Sequence, residues 1–260
     1  MRCRWLLVGT LLLSGAAHAG ALKVWPVKVA VSPELKSESV RLTNDGDAAI
    51  NVQISAKAWD MDEMGQFIEV DTGDFVFFPR LLTIPPHEEK AVRVGYQGDF
   101  PATEKPYRLL IEELPPVRTP EQQAQAGSAL GMTYILRLSL PLFVMPDKVP
   151  PPAQVAIDGV ENTPVGMRLG IKALGNYHIE VKKVVAQLLD GAGTPLAEGE
   201  LTTPLLRILP QRRVFVDVPL KDKPCQKAKS LLVKVHAERL KEPYEQNIPL
   251  AGGSCQAVNH

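Results

Sequence analysis

From residue 130 to residue 144 every even-numbered position is apolar: Leu130, Met132, Tyr134, Leu136, Leu138, Leu140, Leu142 and Val144. A period of two puts all eight side chains on one face of a single extended strand. Among the odd positions, Gly131, Thr133, Arg137, Ser139 and Pro141 make the other face mostly small or polar. A strand of ordinary length anchors itself with about three or four inward side chains. This segment exceeds that need, so it can bury one part of its row at home and offer the rest to another chain. An alternating strand also serves as an ordinary sandwich strand with one buried face. An exposed strand with apolar teeth is a hazard that proteins suppress. Where it is kept, its use is strand addition to a partner's sheet.

The N-terminus places the chain outside the cytoplasm. Arg2 and Arg4 precede a short apolar stretch over residues 5–13, and Ala17-His18-Ala19 is a small-x-small cleavage site. Residues 1–19 therefore read as a secretory signal peptide. The apolar run is too short for a membrane-spanning helix, and no later segment is long and apolar enough, so no direct membrane insertion is expected. With 29 basic and 29 acidic residues the formal net charge is zero, which argues against a nucleic-acid partner. Cys3 leaves with the signal, and Cys225 and Cys255 remain as an even pair in an oxidising compartment. One disulfide between them is expected, two free buried thiols being the alternative.

The chain has 23 prolines and 19 glycines, with short β-rich runs between them and no sustained helical period. This is an all-β pattern whose length suits two immunoglobulin-like sandwiches of about 100 residues each. Strand-like runs cover residues 22–31 (broken by Pro26), 39–43, 50–59, 75–78, 81–84, 91–96 and 107–114. Residues 115–128 form a long polar connection before the alternating strand. Pro146, Pro150, Pro151 and Pro152 then fall within one short stretch, and no sheet continues through so many fixed dihedrals and missing donors. The expected division is a first domain over 20–145, a stiff linker over 146–152 and a second domain over 153–260. In the second domain, strands are expected at 165–173, 179–189, 213–218 and 231–239, with a hairpin turn at 190–193.

Chemistry is sparse. His87, His178, His236 and His260 are the histidines beyond the signal, and none stands at metal-ligand spacing from another histidine or a cysteine. The chain contains neither a Gly-x-Ser-x-Gly elbow nor a phosphate-cradling glycine loop. Asp60, Asp62 and Glu63 form a close carboxylate group, but Met61 and Met64 interrupt it. It reads as a solvated hairpin tip rather than a calcium loop. No enzyme activity and no cofactor are expected. An exported structural or adhesive two-domain protein, with the long strand simply buried, is the competing reading.

Three blocks together carry a resemblance: Val40-Arg41-Leu42-Thr43-Asn44, then Tyr107-Arg108-Leu109-Leu110-Ile111-Glu112-Glu113-Leu114-Pro115-Pro116, then Arg137-Leu138-Ser139-Leu140-Pro141-Leu142-Phe143-Val144-Met145-Pro146. A strand ending in Glu-Leu-Pro-Pro, a variable polar loop and a long alternating strand closed by proline resembles the periplasmic chaperones of chaperone–usher pilus assembly. The likeness covers about residues 22–146. It implies two immunoglobulin-like domains in a boomerang arrangement, and a last strand of domain one that completes a pilin subunit lacking its own final strand. Its partners would be pilin subunits and an outer-membrane usher, its location the periplasm, and an exposed apolar edge would let the free protein self-associate. The donor positions implied are Leu130, Met132, Tyr134, Leu136 and Leu138, while Leu140, Leu142 and Val144 stay in the home core.

The resemblance also implies basic residues in the interdomain cleft that hold the subunit's terminal carboxylate. Counting from Asn44 assigns the first to Lys28. The usual lysine of the last strand falls on Pro141, which cannot hold an anion, and the basic residue before the closing proline is Met145. Arg108 on the neighbouring strand and Arg137 on the alternating strand are left, and a guanidinium suits the task because its planar fork grips a carboxylate. This departure resembles the archaic or alternative branch of the family.

Overall fold

The computed structural model describes residues 22–115, 135–147, 149–251 and 255, without the side chains of residues 204 and 205. All the regular elements there are strands. The first sheet runs in the order β1 (Leu22–Trp25), β3 (Ser37–Asn44), β8 (Glu89–Tyr96), β6 (Phe75–Phe78). The second runs β2 (Val29–Val31), β10 (Arg137–Val144), β9 (Lys105–Glu113), β4 (Ile50–Met61), β5 (Phe67–Asp71), and β7 (Leu81–Ile84) also pairs with β4. Pro26, which has no amide donor to give a ladder, stands where the chain leaves the first sheet for the second. Alternation then sets the core: Val40, Leu42, Val92 and Val94 of one sheet meet Val52, Ile54, Leu109, Ile111, Leu142 and Val144 of the other. Asn44 pins the edge of this sandwich. Its buried side-chain amide faces the carbonyl oxygens of Ala48, Ile84 and Pro85 at 2.8, 3.0 and 3.1 Å, and its Oδ1 accepts from the Gly46 N–H at 2.9 Å.

The second sandwich stacks β11 (Val155–Thr163), β12 (Gly166–Ala173) and β15 (Arg213–Pro219) on β14 (Pro195–Ile208), β13 (Ile179–Leu189), β16 (Ser230–Ala237) and β17 (Tyr244–Pro249). No strand lies between Val144 and Val155 among the described residues. A disulfide joins Cys225 to Cys255. Trp59, Met61, Phe143 and Met145 of the first sandwich share one apolar cluster with Leu169, Ile171, Val181 and Ile208 of the second.

Two expectations change. The alternating strand begins at Arg137, with Ile135 and Leu136 outside it and residues 130–134 outside the described residues. Its neighbour β9 ends at Glu113, ahead of Pro115 and Pro116, so among the described residues the β9–β10 ladder does not run further. One last bond, from the Glu113 N–H to the Leu136 carbonyl at 2.8 Å, closes it. The second change is at the tip of the β4–β5 hairpin, where Gly65 takes φ 77° to close the turn. The tip is not simply solvated. Asp60 pairs with Arg212 (Nε–Oδ1 2.9 Å), Glu63 with Arg213 (2.6 Å), and the Phe215 N–H donates to the Glu63 carbonyl at 2.9 Å. Among the described residues no group of three metal-ligating side chains occurs.

Candidate functional site

The site begins with the unequal cover on β10. Its whole length pairs antiparallel with β9, from Arg137 opposite Glu112 to Val144 opposite Lys105. On the other side β2 pairs in parallel only with Leu142, Phe143 and Val144. From Arg137 to Pro141 that second edge has no strand partner among the described residues. Even positions face the home core: Leu142 and Val144 are fully buried, and Leu138 and Leu140 pack against the same cluster half-buried. Leu136 is half-buried beyond the strand. Leu130, Met132 and Tyr134 lie outside the described residues. Odd positions behave differently at the two ends of β10. Arg137 is exposed and Ser139 half-buried, whereas Pro141 and Phe143 are buried. Phe143 is buried because its ring lies on His178, with centroids 4.1 Å apart and planes 9° apart, and beside Trp59 at 6.2 Å.

Lys28 and a group of charges from the second sandwich meet beside that ring. Lys28, between β1 and β2, lies 3.2 Å from Glu180 Oε1 and 3.8 Å from Glu238 Oε2. Arg207 Nε donates to the same Glu180 oxygen at 2.9 Å, and Lys182 reaches Oε2 at 3.4 Å. Arg207 stands there because it is the cross-strand partner of Glu180 in the β13–β14 ladder. The His178 bond holds the Glu180 carboxyl far below the ordinary carboxylate range, against the effect of burial and with help from Arg207 and Lys28.

Arg108 stands directly across from Pro141. Its guanidinium donates to Ser139 Oγ at 2.9 Å and to the Ser139 carbonyl at 3.0 Å, and it lies 5.0 Å from the ring centres of Trp59 and Phe67. Burial pushes its ionisation down; the Glu69 carboxylate opposes this and the Arg207 charge adds to it. Arg108 therefore stands beside Pro141 and feels the charge of Arg207. Arg137 is placed apart from them. It pairs with Glu112 at 3.1 Å, four residues along β10 from Pro141, or roughly 13 Å of strand.

His178, Glu104, Glu180 and Arg207 escape a reading of the sequence. Glu104 and His178 are 74 residues apart, and no spacing rule links the start of a strand in one sandwich to the start of a strand in another. One signal was available: Phe143 is an odd-position aromatic in a row of mostly small and polar residues, and announces that the end of β10 is buried on both faces.

The cleft is further held by the linker. The Tyr177 hydroxyl donates to Asp147 Oδ2 at 3.0 Å, and burial with that bond pushes its ionisation up to about 12. Arg239 donates to the Pro151 carbonyl at 2.9 Å and also to the His178 carbonyl.

Comparison with known proteins bears on the fold and the family. A family model described as pili and flagellar-assembly chaperone, PapD N-terminal domain, matches residues 21–150. No curated protein matches the chain by sequence. Among solved structures, the CsuC–CsuE chaperone–tip adhesion subunit complex of Acinetobacter baumannii aligns over 88% of this chain and 98% of that one, at 16% identity and TM-score 0.58. The Salmonella enterica SafB chaperone in complex with SafA pilin aligns over 90% and 99%, at 17% identity and TM-score 0.56. The class 5 fimbriae chaperone CfaA aligns over 88% and 100%, at 16% identity and TM-score 0.58. At these identities the solved structures speak for the fold, and the family model speaks for descent. The chain belongs to the pili and flagellar-assembly chaperone family, whose members are chaperones and not enzymes.

Proposed function

We propose that the chain is a periplasmic chaperone of the archaic or alternative branch that captures incomplete pilin subunits by donor-strand complementation and delivers them to an outer-membrane usher. The observation that carries this reading is the edge of β10 from Arg137 to Pro141, which no strand covers among the described residues and where Arg108 occupies the Ser139 carbonyl, next to a continuing apolar row. A subunit lacking its last strand exposes a groove and two sheet edges; a donated strand satisfies the edges with main-chain bonds and fills the groove with alternate side chains. Burying four or five large apolar side chains stabilises such a complex by about 8–15 kcal/mol gross, much of it offset by association and ordering costs. The solved chaperone–adhesin and chaperone–pilin complexes that share the fold support pilin subunits as the partners.

In this reading the chain divides into a signal over 1–19, a donor domain over 20–145, a linker over 146–152 and a second domain over 153–260. Leu130, Met132, Tyr134, Leu136 and Leu138 are the donor row. Lys28 and Arg108 hold the subunit's terminal carboxylate, with Arg137 as an outlying candidate. The same open edge supports self-association of the free protein. The experiment is co-expression in the periplasm with a pilin subunit truncated before its last strand. A stable equimolar complex on size-exclusion chromatography is expected. A folded chaperone that leaves the subunit to aggregate overturns the reading.

A further inference from the structure

We infer that Glu180 is a resident stand-in for the carboxylate of an incoming chain terminus, holding Lys28 in the free protein and yielding it on binding. The inference rests on the chaperone reading only for the identity of that chain; the seat itself is defined by its chemistry. Three cationic side chains converge on one carboxylate: Lys28 at 3.2 Å and Arg207 at 2.9 Å on Oε1, Lys182 at 3.4 Å on Oε2. His178 Nε2 adds a fourth nitrogen at 3.5 Å. A single carboxylate is matched by one fork of a guanidinium. The surplus of cations here marks a seat built for an anion.

The members of the seat are not equally fixed. Arg207 and Lys182 share the sheet of Glu180 and move with it. Lys28 alone comes from the first sandwich, and its side chain is 41% exposed against 11% for Glu180. Lys28 also opens on a cavity of about 290 Å³ whose walls include Ala30, Phe143, Met145 and Pro150. A chain terminus can therefore enter along apolar walls and reach Lys28 without unpacking either sandwich. Glu180 then keeps Arg207 and Lys182, so the exchange leaves no buried charge unpaired. Charge counting permits the exchange. Lys28, Lys182 and Arg207 face Glu180 and Glu238, and Arg239 adds a positive charge to the cavity wall. Glu104, bonded to His178, adds a third carboxylate to the wall, so one more carboxylate brings the group level with its four lysine and arginine charges and leaves no excess of negative charge.

The test uses N-acetylglycine as the smallest chain terminus and N-acetylglycinamide as its uncharged control, titrated into the full mature chain. The reporter is the methyl resonance of Met145 in the cavity wall. Glu180→Gln should bind N-acetylglycine roughly tenfold or more tightly than the unsubstituted chain does. The amide should show no such gain, and adding Lys28→Gln should remove it. Equal affinities with and without Glu180→Gln, or a gain shared by the amide or kept without Lys28, overturn the inference. Should Glu180→Gln fail to fold, Glu180→Asp decides, because its shorter side chain keeps the charge but draws the carboxylate back from Lys28: tighter N-acetylglycine binding than in the unsubstituted chain supports the exchange, and equal binding overturns it. Failure of the chaperone reading is separately visible, as loss of subunit capture with this carboxylate response intact.

Discussion

His178 and Glu104 clasp the two sandwiches together. The imidazole Nδ1 lies 2.7 Å from Glu104 Oε1 and 3.0 Å from Oε2, and the His178 backbone N–H donates to the same Oε1 at 3.1 Å. Glu104 is fully buried, and its own N–H donates to the Asn176 carbonyl at 2.9 Å. Burial pushes the imidazole down, yet the Glu104 and Glu180 carboxylates outweigh it and the net displacement is upward. A group raised in the folded state contributes stability that is complete below its unfolded value, about 6.5, and is lost as pH rises through the folded value. Thermal melts from pH 6 to 9 should therefore show the melting temperature falling on the alkaline side, and His178→Gln should flatten that limb. Glu104→Gln strands a buried partner and should cost about 3–5 kcal/mol at neutral pH. A pH profile identical in both variants and the unsubstituted chain would refute the clasp.

Apolar packing, rather than the ion pairs of the hairpin tip, holds the two sandwiches in register. Phe143 is 1% exposed, whereas the Asp60 and Arg212 side chains are 41% and 51% exposed. Phe143→Ala leaves a cavity between Trp59 and His178 and should destabilise the protein by about 3–5 kcal/mol. The Asp60–Arg212 pair is screened by solvent, and its coupling in a double-mutant cycle should stay below about 1 kcal/mol. Denaturant titrations of the four chains in that cycle, beside Phe143→Ala, measure both quantities. A larger coupling at the tip than loss at Phe143 would reverse the assignment.

The strands that a sequence pattern reveals are those with one wet and one dry face. β3, β8 and β15 alternate cleanly and are legible. β5 is exposed at every position, so alternation had no buried side to mark it. β13 is the opposite case, buried on both faces over most of its length, and is legible only as an apolar run. The site divides in the same way. Lys28 was nameable as a candidate because the resemblance counts back from the Asn44 block along one chain segment. Glu180 and Arg207 could not, because their relation to Lys28 is created by one sandwich docking on another. The tip at Asp60 and Glu63 reads as solvent-facing for the same reason: its arginine partners are about 150 residues away.

The Cys225–Cys255 bond spans 30 residues that include β16 and β17. Closing a loop of that length restricts the unfolded chain by about 3–4 kcal/mol. The double variant Cys225→Ser/Cys255→Ser should lose most of that, measured by denaturant unfolding. The loss should match that of the unsubstituted protein under reducing conditions. Equal stability with and without reductant would mean that the bond constrains nothing.

Leu136 and Leu142 belong to the same alternating row but should fail in different ways. Leu142 is fully buried between β2 and β9, so Leu142→Glu places a charge in the home core and should leave no folded chaperone to assay. Leu136 is half-buried where β10 has lost its second neighbour, and Leu136→Glu should shift folding stability by less than about 1 kcal/mol, as expected away from the core. Its cost should fall on the partner instead. An apolar tooth of this size contributes about 1.5–3 kcal/mol when buried, and a carboxylate in the same groove adds a desolvation penalty. Capture of a subunit lacking its last strand should weaken by at least roughly a hundredfold, since about 1.4 kcal/mol is tenfold. Melting curves and co-purification on the same Leu136→Glu preparation separate the two effects. A stable variant that still captures the subunit as the unsubstituted chain does would remove Leu136 from the donor row.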